Sequence, residues 1–191
     1  MSRALALLPV RSPSLSLSNE AICRAAALLA VAAMAGWLAV LGRPLGPEGA
    51  LRWWNGDLSI AHNSQHLNDG YSLLHLSFGA LIYLLVRRFN PGLERPRLGL
   101  AVVLSAVTWE AIENLPSVIA MFNPDGQAAS YAGDSIVNAL GDVAFALVGL
   151  AAARRMSLVG VAAMLIGIEL ACAWLIGDGL IWGSLRLTEL A

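Results

Sequence analysis

Apolar stretches of about 16–21 residues recur along the chain with short polar segments between them, each near the ~20 residues a bilayer crossing needs. They cover residues 24–41, 70–86, 98–115, 135–153 and 156–176. Runs of this length without water-satisfied backbone are helical, because a helix pairs every interior peptide group within the segment. The pattern therefore predicts an all-α, polytopic membrane helix bundle of about five transmembrane helices. Residues 1–20 have no clear period and are expected to be a flexible cytoplasmic tail. Residues 21–191 form a single transmembrane helical domain with no internal repeat. The first run could be read as a secretory leader, with Arg24 as basic flank and Ala33-Met34-Ala35 as cleavage site. It continues through Trp37 to Leu41, however, and its Ala/Gly content suits helix packing, so a retained span is expected. Residues 180–185, containing Trp182, are too short to cross again and are expected along the outer surface.

Composition agrees with the pattern. The chain of 191 residues is 58% hydrophobic and 13% charged, against about 25% charged in soluble domains. All basic residues are arginine, and their placement sets orientation. With the N-terminus inside, nine lie in cytoplasmic segments (3, 11, 24, 87, 88, 95, 97, 154, 155) and three outside (43, 52, 186). The expected topology is N-in, C-out. No basic face with interleaved aromatics is present, which argues against nucleic acid as a partner. Membrane lipids are the expected surroundings. Cys23 and Cys172 have no metal-type spacing, and no disulfide between them is expected.

Against this apolar background the ionisable residues stand out, since each costs about 2.5–3.5 kcal/mol within a span on insertion scales. His75, Glu110, Glu113, Asp142 and Glu169 interrupt four runs. At about 1.5 Å rise per residue, all fall in the outer half of the bilayer. Glu110, Glu113 and Asn114 share one helical face, and Asp134, Asn138 and Asp142 form an i, i+4, i+8 stripe. Ser72, His75 and Gly79 share another face, and Gly79 would admit a close neighbouring backbone. The segment from His62 to Asp69 is an unusually polar lead-in, placed to lid the same pocket.

Three ordered motifs carry a resemblance. Asn63-Ser64-Gln65-His66-Leu67 with Asp69, Tyr71 and His75, then Trp109-Glu110-x-x-Glu113-Asn114, then Gly133-Asp134-Ser135-x-x-Asn138 with Asp142, resemble the UPF0314 (DUF2585) family of bacterial inner-membrane proteins. The resemblance covers most of the chain after about Trp53. His62 and Gly70 depart from it, and His62 is given no role. A looser likeness extends to other small multi-span families, including VanZ-like ones. The resemblance implies a multi-pass protein of the bacterial inner (plasma) membrane and brings no activity with it.

The chemistry must come from the residues. Glu110, Glu113, His75, Asp134 and Asp142 are candidate ligands for a divalent metal ion, because carboxylates with imidazole suit Zn, Mn or Fe. Glu110, Glu113, His75 and Asp142 are the candidate catalytic groups. His66, Asp69, Asn114, Asn138 and Trp109 are candidates for substrate binding, with Trp109 also read as an interfacial anchor. Proton binding, or a hydrogen-bonded network that only joins helices, remain alternatives. Three function classes fit: an enzyme acting on a lipid-linked or periplasmic substrate, a proton- or cation-coupled transporter or resistance factor, and an accessory subunit with a membrane partner. Glu169 is expected to complete the pocket or to pair with Arg186 or a backbone group. Asp178 and Glu189 are expected to be solvated, Asp125 to sit in a turn, and Pro116 to end the third helix.

Overall fold

In the computed structural model, residues 18–123 and 131–189 are described. Residues 1–17 of the tail expected over 1–20, the turn at Asp125, and the side chains of Trp182, Arg186 and Glu189 lie outside the described parts. Seven helices follow in order: α1 Asn19–Val40, α2 Ser72–Phe89, α3 Arg95–Glu113, α4 Pro116–Phe122, α5 Ile136–Ala153, α6 Leu158–Leu175 and α7 Leu180–Glu189. There is no strand among the described residues. Helices α1, α2, α5 and α6 are each long and apolar enough to cross a membrane, and the bent pair α3–α4 makes a fifth if it is one span.

Helix boundaries follow local chemistry. α1 begins five residues ahead of the expected run, because Ser18 accepts a hydrogen bond from the Ala21 amide and Glu20 sits in the first turn. Pro116 does more than end the third helix. The residue before it, Leu115, is forced extended (φ −69, ψ 139). Pro116 then starts α4, whose axis turns 78° from α3.

α2, α3 and α5 form the centre. α2 and α5 make the most extensive contact, and small residues allow it. A Cβ placed on Gly79 would lie 1.9 Å from the Ala146 carbonyl, and one on Gly149 would lie 1.9 Å from the Leu76 carbonyl. α1 packs on α3, with Met34 and Leu38 against Val102, Val103, Ala106 and Val107. α6 packs on α2 through Val161 and leaves Val159, Ile166, Leu170 and Trp174 exposed, which is the surface a lipid-facing helix presents.

One end of the bundle is closed by the polar segment between α1 and α2. Asn63, Ser64, Gln65, His66, Asn68 and Asp69 are all buried. The Ser135 amide donates to the Ser64 carbonyl at 2.9 Å, and the Ser135 hydroxyl donates to the Gln65 carbonyl at 2.9 Å. The backbone at Leu67 lies directly on Gly141 of α5, where a Cβ would meet its carbonyl at 1.9 Å. Glycine in the middle of this helix is the flat spot on which the loop rests.

Candidate functional site

α2, α3 and α5 carry His75, Glu110 and Asp142 to one level. The imidazole stands between the two carboxylates: Nδ1 is 3.3 Å from Glu110 Oε1, and Nε2 is 3.8 Å from Asp142 Oδ2. Glu113, one turn beyond Glu110 on α3, completes a group. His75, Glu110 and Glu113 each offer one ligand atom, all within 4.8 Å of one another. Glu110 is wholly buried, yet both its oxygens lack a hydrogen-bond donor, as do Glu113 Oε2 and Asp142 Oδ1. The Trp109 indole is oriented toward Glu113, and the Ser72 hydroxyl toward Asp142.

Beside this group the acids are satisfied differently. Asp134 precedes the first turn of α5, so the predicted stripe has its first member off the helix. The Asp134 carboxylate accepts from Asn114 Nδ2 at 2.6 Å and from the Tyr131 hydroxyl at 3.1 Å, while its amide donates to Asn114 Oδ1 at 2.8 Å. Burial raises the Asp134 carboxyl to about 6, against the opposing effect of these bonds. Burial, with Asp134 next to it, also pushes the Tyr131 phenol well up. Asp69 caps the start of α2, accepting from the Tyr71 amide at 2.8 Å and the Ser72 amide at 3.4 Å, and from the Ser64 amide at 3.1 Å. Desolvation raises its carboxyl, with the three amides acting against the shift.

The remaining predicted residues divide. Asn138 donates to the His66 carbonyl at 2.9 Å and so ties the loop to α5. The His66 side chain is turned away from the carboxylates. Its Nδ1 accepts from the Arg52 amide at 3.2 Å, and its Nε2 meets His62 Nδ1 at 3.2 Å in a stacked pair. Glu169 resolves onto backbone. It accepts from the amides of Leu180 and Ile181 at 2.9 and 3.1 Å and thereby holds the N-terminus of α7. Asp178 is buried, contrary to the solvated position expected, because its carboxylate folds back onto the Gly179 amide beneath α7. Cys23 and Cys172 are both free thiols, as expected.

A cavity of about 460 Å³ opens beside the group, with His75, Glu113 and Trp109 on its border. Asn63, Ser64 and Tyr131 contribute polar wall, and α7 covers it through Leu180 and Gly183. An open groove between α1 and α3 carries no titratable side chain. Sequence reasoning missed Tyr131 and Asp178 as parts of this region, whereas Ser64 lies in the polar lead-in expected to lid it. Tyr131 lies three positions before Asp134, a proximity that could have signalled it. Ser64 takes positive φ (56°) as it passes the carboxylates, which no pattern announces.

These elements coincide with the matched region of a family model, Protein of unknown function (DUF2585), which covers residues 38–189. The chain belongs to the DUF2585 family. Curated relatives, each called a UPF0314 protein, include one from Novosphingobium aromaticivorans, 36% identical over 153 residues and covering 77% of each chain. Another, from Sphingopyxis alaskensis, is 36% identical over 168 residues, 86% of this chain and 87% of the relative. A third, from Paracoccus denitrificans, is 29% identical over 178 residues and 92% of each. No solved structure matches this DUF2585 chain.

Proposed function

We propose that this protein is a multi-pass inner-membrane enzyme in which a divalent metal ion, held by His75, Glu110 and Glu113, acts on a substrate reaching it from the extracytoplasmic side. The observation that carries the reading is three ligand atoms within 4.8 Å, two of them from carboxylates with oxygens that no donor satisfies. Buried charges without partners are strongly destabilising, and a cation bound among them reverses that local balance. One imidazole nitrogen with carboxylate oxygens suits Zn, Mn or Fe. His75 would ligate through Nδ1, leaving Nε2–H directed at Asp142, a second partner that orients the ring. Asp142 is then a positioning residue, and Asp134 acts through Asn114.

Three protein ligands leave a coordination position open, the arrangement of catalytic rather than structural sites. His75 and Glu113 border the cavity, so a substrate there would lie next to an ion held by them. His75, Glu110 and Glu113 would hold the ion, which when bound would supply Lewis-acid polarisation of a substrate oxygen or a bound water of lowered pKa. The arginine distribution supports the outward-facing orientation. Cation-coupled transport has less support, because a transport path needs polar groups through both halves. On the cytoplasmic side of this level, Ser77 is the one buried polar side chain of α2, α3 or α5 among the described residues.

Elemental analysis of the detergent-purified protein tests the reading. Wild type is expected to retain stoichiometric divalent metal after dialysis, and Glu110→Gln to lose it. Metal-free wild type after incubation with Zn, Mn and Fe salts, or equal retention by the variant, would refute it.

A further inference from the structure

We propose that the cavity takes an amphiphile with a single acyl chain and an uncharged polar head, the head at His75 and Glu113 and the chain along α2. The proposal rests on the cavity being the substrate site, and it deepens that reading by naming the substrate class. Its first support is segregation of the lining. Asn63 and Ser64 precede α2 and His75 lies in its first turns, whereas Leu74, Phe78, Leu81 and Ile82 carry the lining on down that helix. Those four recur at i, i+4, i+7 and i+8 and form one ridge of the helix. From Leu74 to Ile82 the ridge runs about 12 Å toward the bilayer interior.

The second support is continuity with lipid. Leu81 borders the cavity and is 37% exposed, and Leu85 one turn beyond it, outside the cavity lining, is 54% exposed. A chain could therefore enter sideways from the membrane without crossing the polar loop. α7 bounds the track through Leu180 and Gly183, and a cavity of about 460 Å³ has room for one chain rather than two.

The head's charge follows from what is missing among the described lining residues. They include no Lys or Arg, and they include Asp178 as well as Glu113. The two ligand carboxylates, Glu110 and Glu113, already balance a divalent ion. Among the described lining residues a phosphate head would meet Asp178 and Glu113 and no arginine or lysine, and like charges brought together are costly. A hydroxyl, ester or amide head finds donors and acceptors in Asn63, Ser64 and the open metal position.

Photocrosslinking tests this with a diazirine-bearing monoacylglycerol and the full-length protein in detergent micelles. Crosslinks are expected on α2 between positions 74 and 82 and on α7, and unlabelled monoacylglycerol should compete them away. Lysophosphatidate of the same chain length should compete at least about tenfold more weakly. Leu81→Trp, which fills the track, should lower the yield about tenfold by displacing roughly two methylenes, while Leu85→Trp should leave it unchanged. Labelling spread equally over α6, or equal competition by lysophosphatidate, would overturn the proposal. Glu110→Gln separates the two readings. Labelling that persists without metal supports the chain track on its own, whereas a metal-loaded wild type that gives no label in α2 refutes the track and leaves the metal centre standing.

Discussion

Replacing Gly79 by alanine should both destabilise the bundle and loosen the candidate metal centre. The added methyl would sit 1.9 Å from the Ala146 carbonyl oxygen, with that residue's carbonyl carbon and Cα at 2.6 and 2.8 Å. All three are backbone atoms, so no rotamer change relieves the clash. Ordinary contact begins near 3.4 Å, so α2 and α5 must part by about 1.5 Å in a close-packed interior. Overpacking of this kind costs about 1–3 kcal/mol. For a chain of this size each kcal/mol lowers the unfolding midpoint by about 2–4 °C. The displacement reaches the site because His75 lies one turn from Gly79 and Asp142 one turn from Ala146. Parting the helices widens the 3.8 Å approach of His75 Nε2 to Asp142, and loss of such an orienting partner weakens metal binding by about 10–100-fold. Thermal unfolding in detergent, followed by tryptophan fluorescence, measures the first effect, and metal titration the second. Gly36→Ala in α1 and Gly167→Ala in α6 are the controls, since a Cβ there meets nothing within 4 Å. Both should be neutral or slightly stabilising, because alanine favours helix. A Gly79→Ala midpoint equal to theirs would refute the described backbone contact of α2 with α5.

Three further outcomes follow from the geometry. Asp142→Asn should weaken metal binding by about 10–100-fold without abolishing it, whereas Glu113→Gln should remove it, and identical titration curves for the two variants would contradict the division of roles. The Asp134 carboxyl is raised from 3.8 to about 6, so the folded state holds that proton more tightly; the resulting stability is present below about pH 4 and lost as pH rises through about 6. The wild-type midpoint should accordingly exceed that of Asp134→Asn by more at about pH 4 than at about pH 7, and a gap that widens with pH would disprove the assignment. Glu169→Ala removes the acceptor of two α7 amides, a capping loss of about 0.5–2 kcal/mol. Hydrogen exchange at positions 180 and 181 should then quicken by about 2–30-fold, and unchanged protection would show that α7 is held by other contacts.

How much of the site could be read beforehand depended on whether a helix carried the residue. Glu110, Glu113 and His75 were placed together by hydropathy and by helical phase, because spacing within a regular helix determines both depth and face. Off the helices that logic had no purchase. His66 belongs to a motif with its neighbours, but its ring direction depends on the Arg52 amide, and the loop's own path is set by residues 133–135 and 141 from a distant part of the chain. Asp178 looked solvated because no pattern announces that its carboxylate turns toward the Gly179 amide and the first turn of α7.

Hydrophobic run lengths alone determined that this chain forms a bundle of membrane-length helices, since a bilayer crossing is a count of consecutive apolar residues. Combined with the orientation expected from the arginines, they led to the expectation that several helices bring ionisable groups to a shared depth. Only tertiary structure decided that His75 stands between Glu110 and Asp142, that Asp134 is occupied by Asn114 and Tyr131, and that Glu169 serves α7. The reason is physical: periodicity selects a helix's polar face, but the partner of that face is chosen by how closely backbones approach. Here that approach was set by three glycines, 79, 141 and 149, lying against carbonyls of other segments.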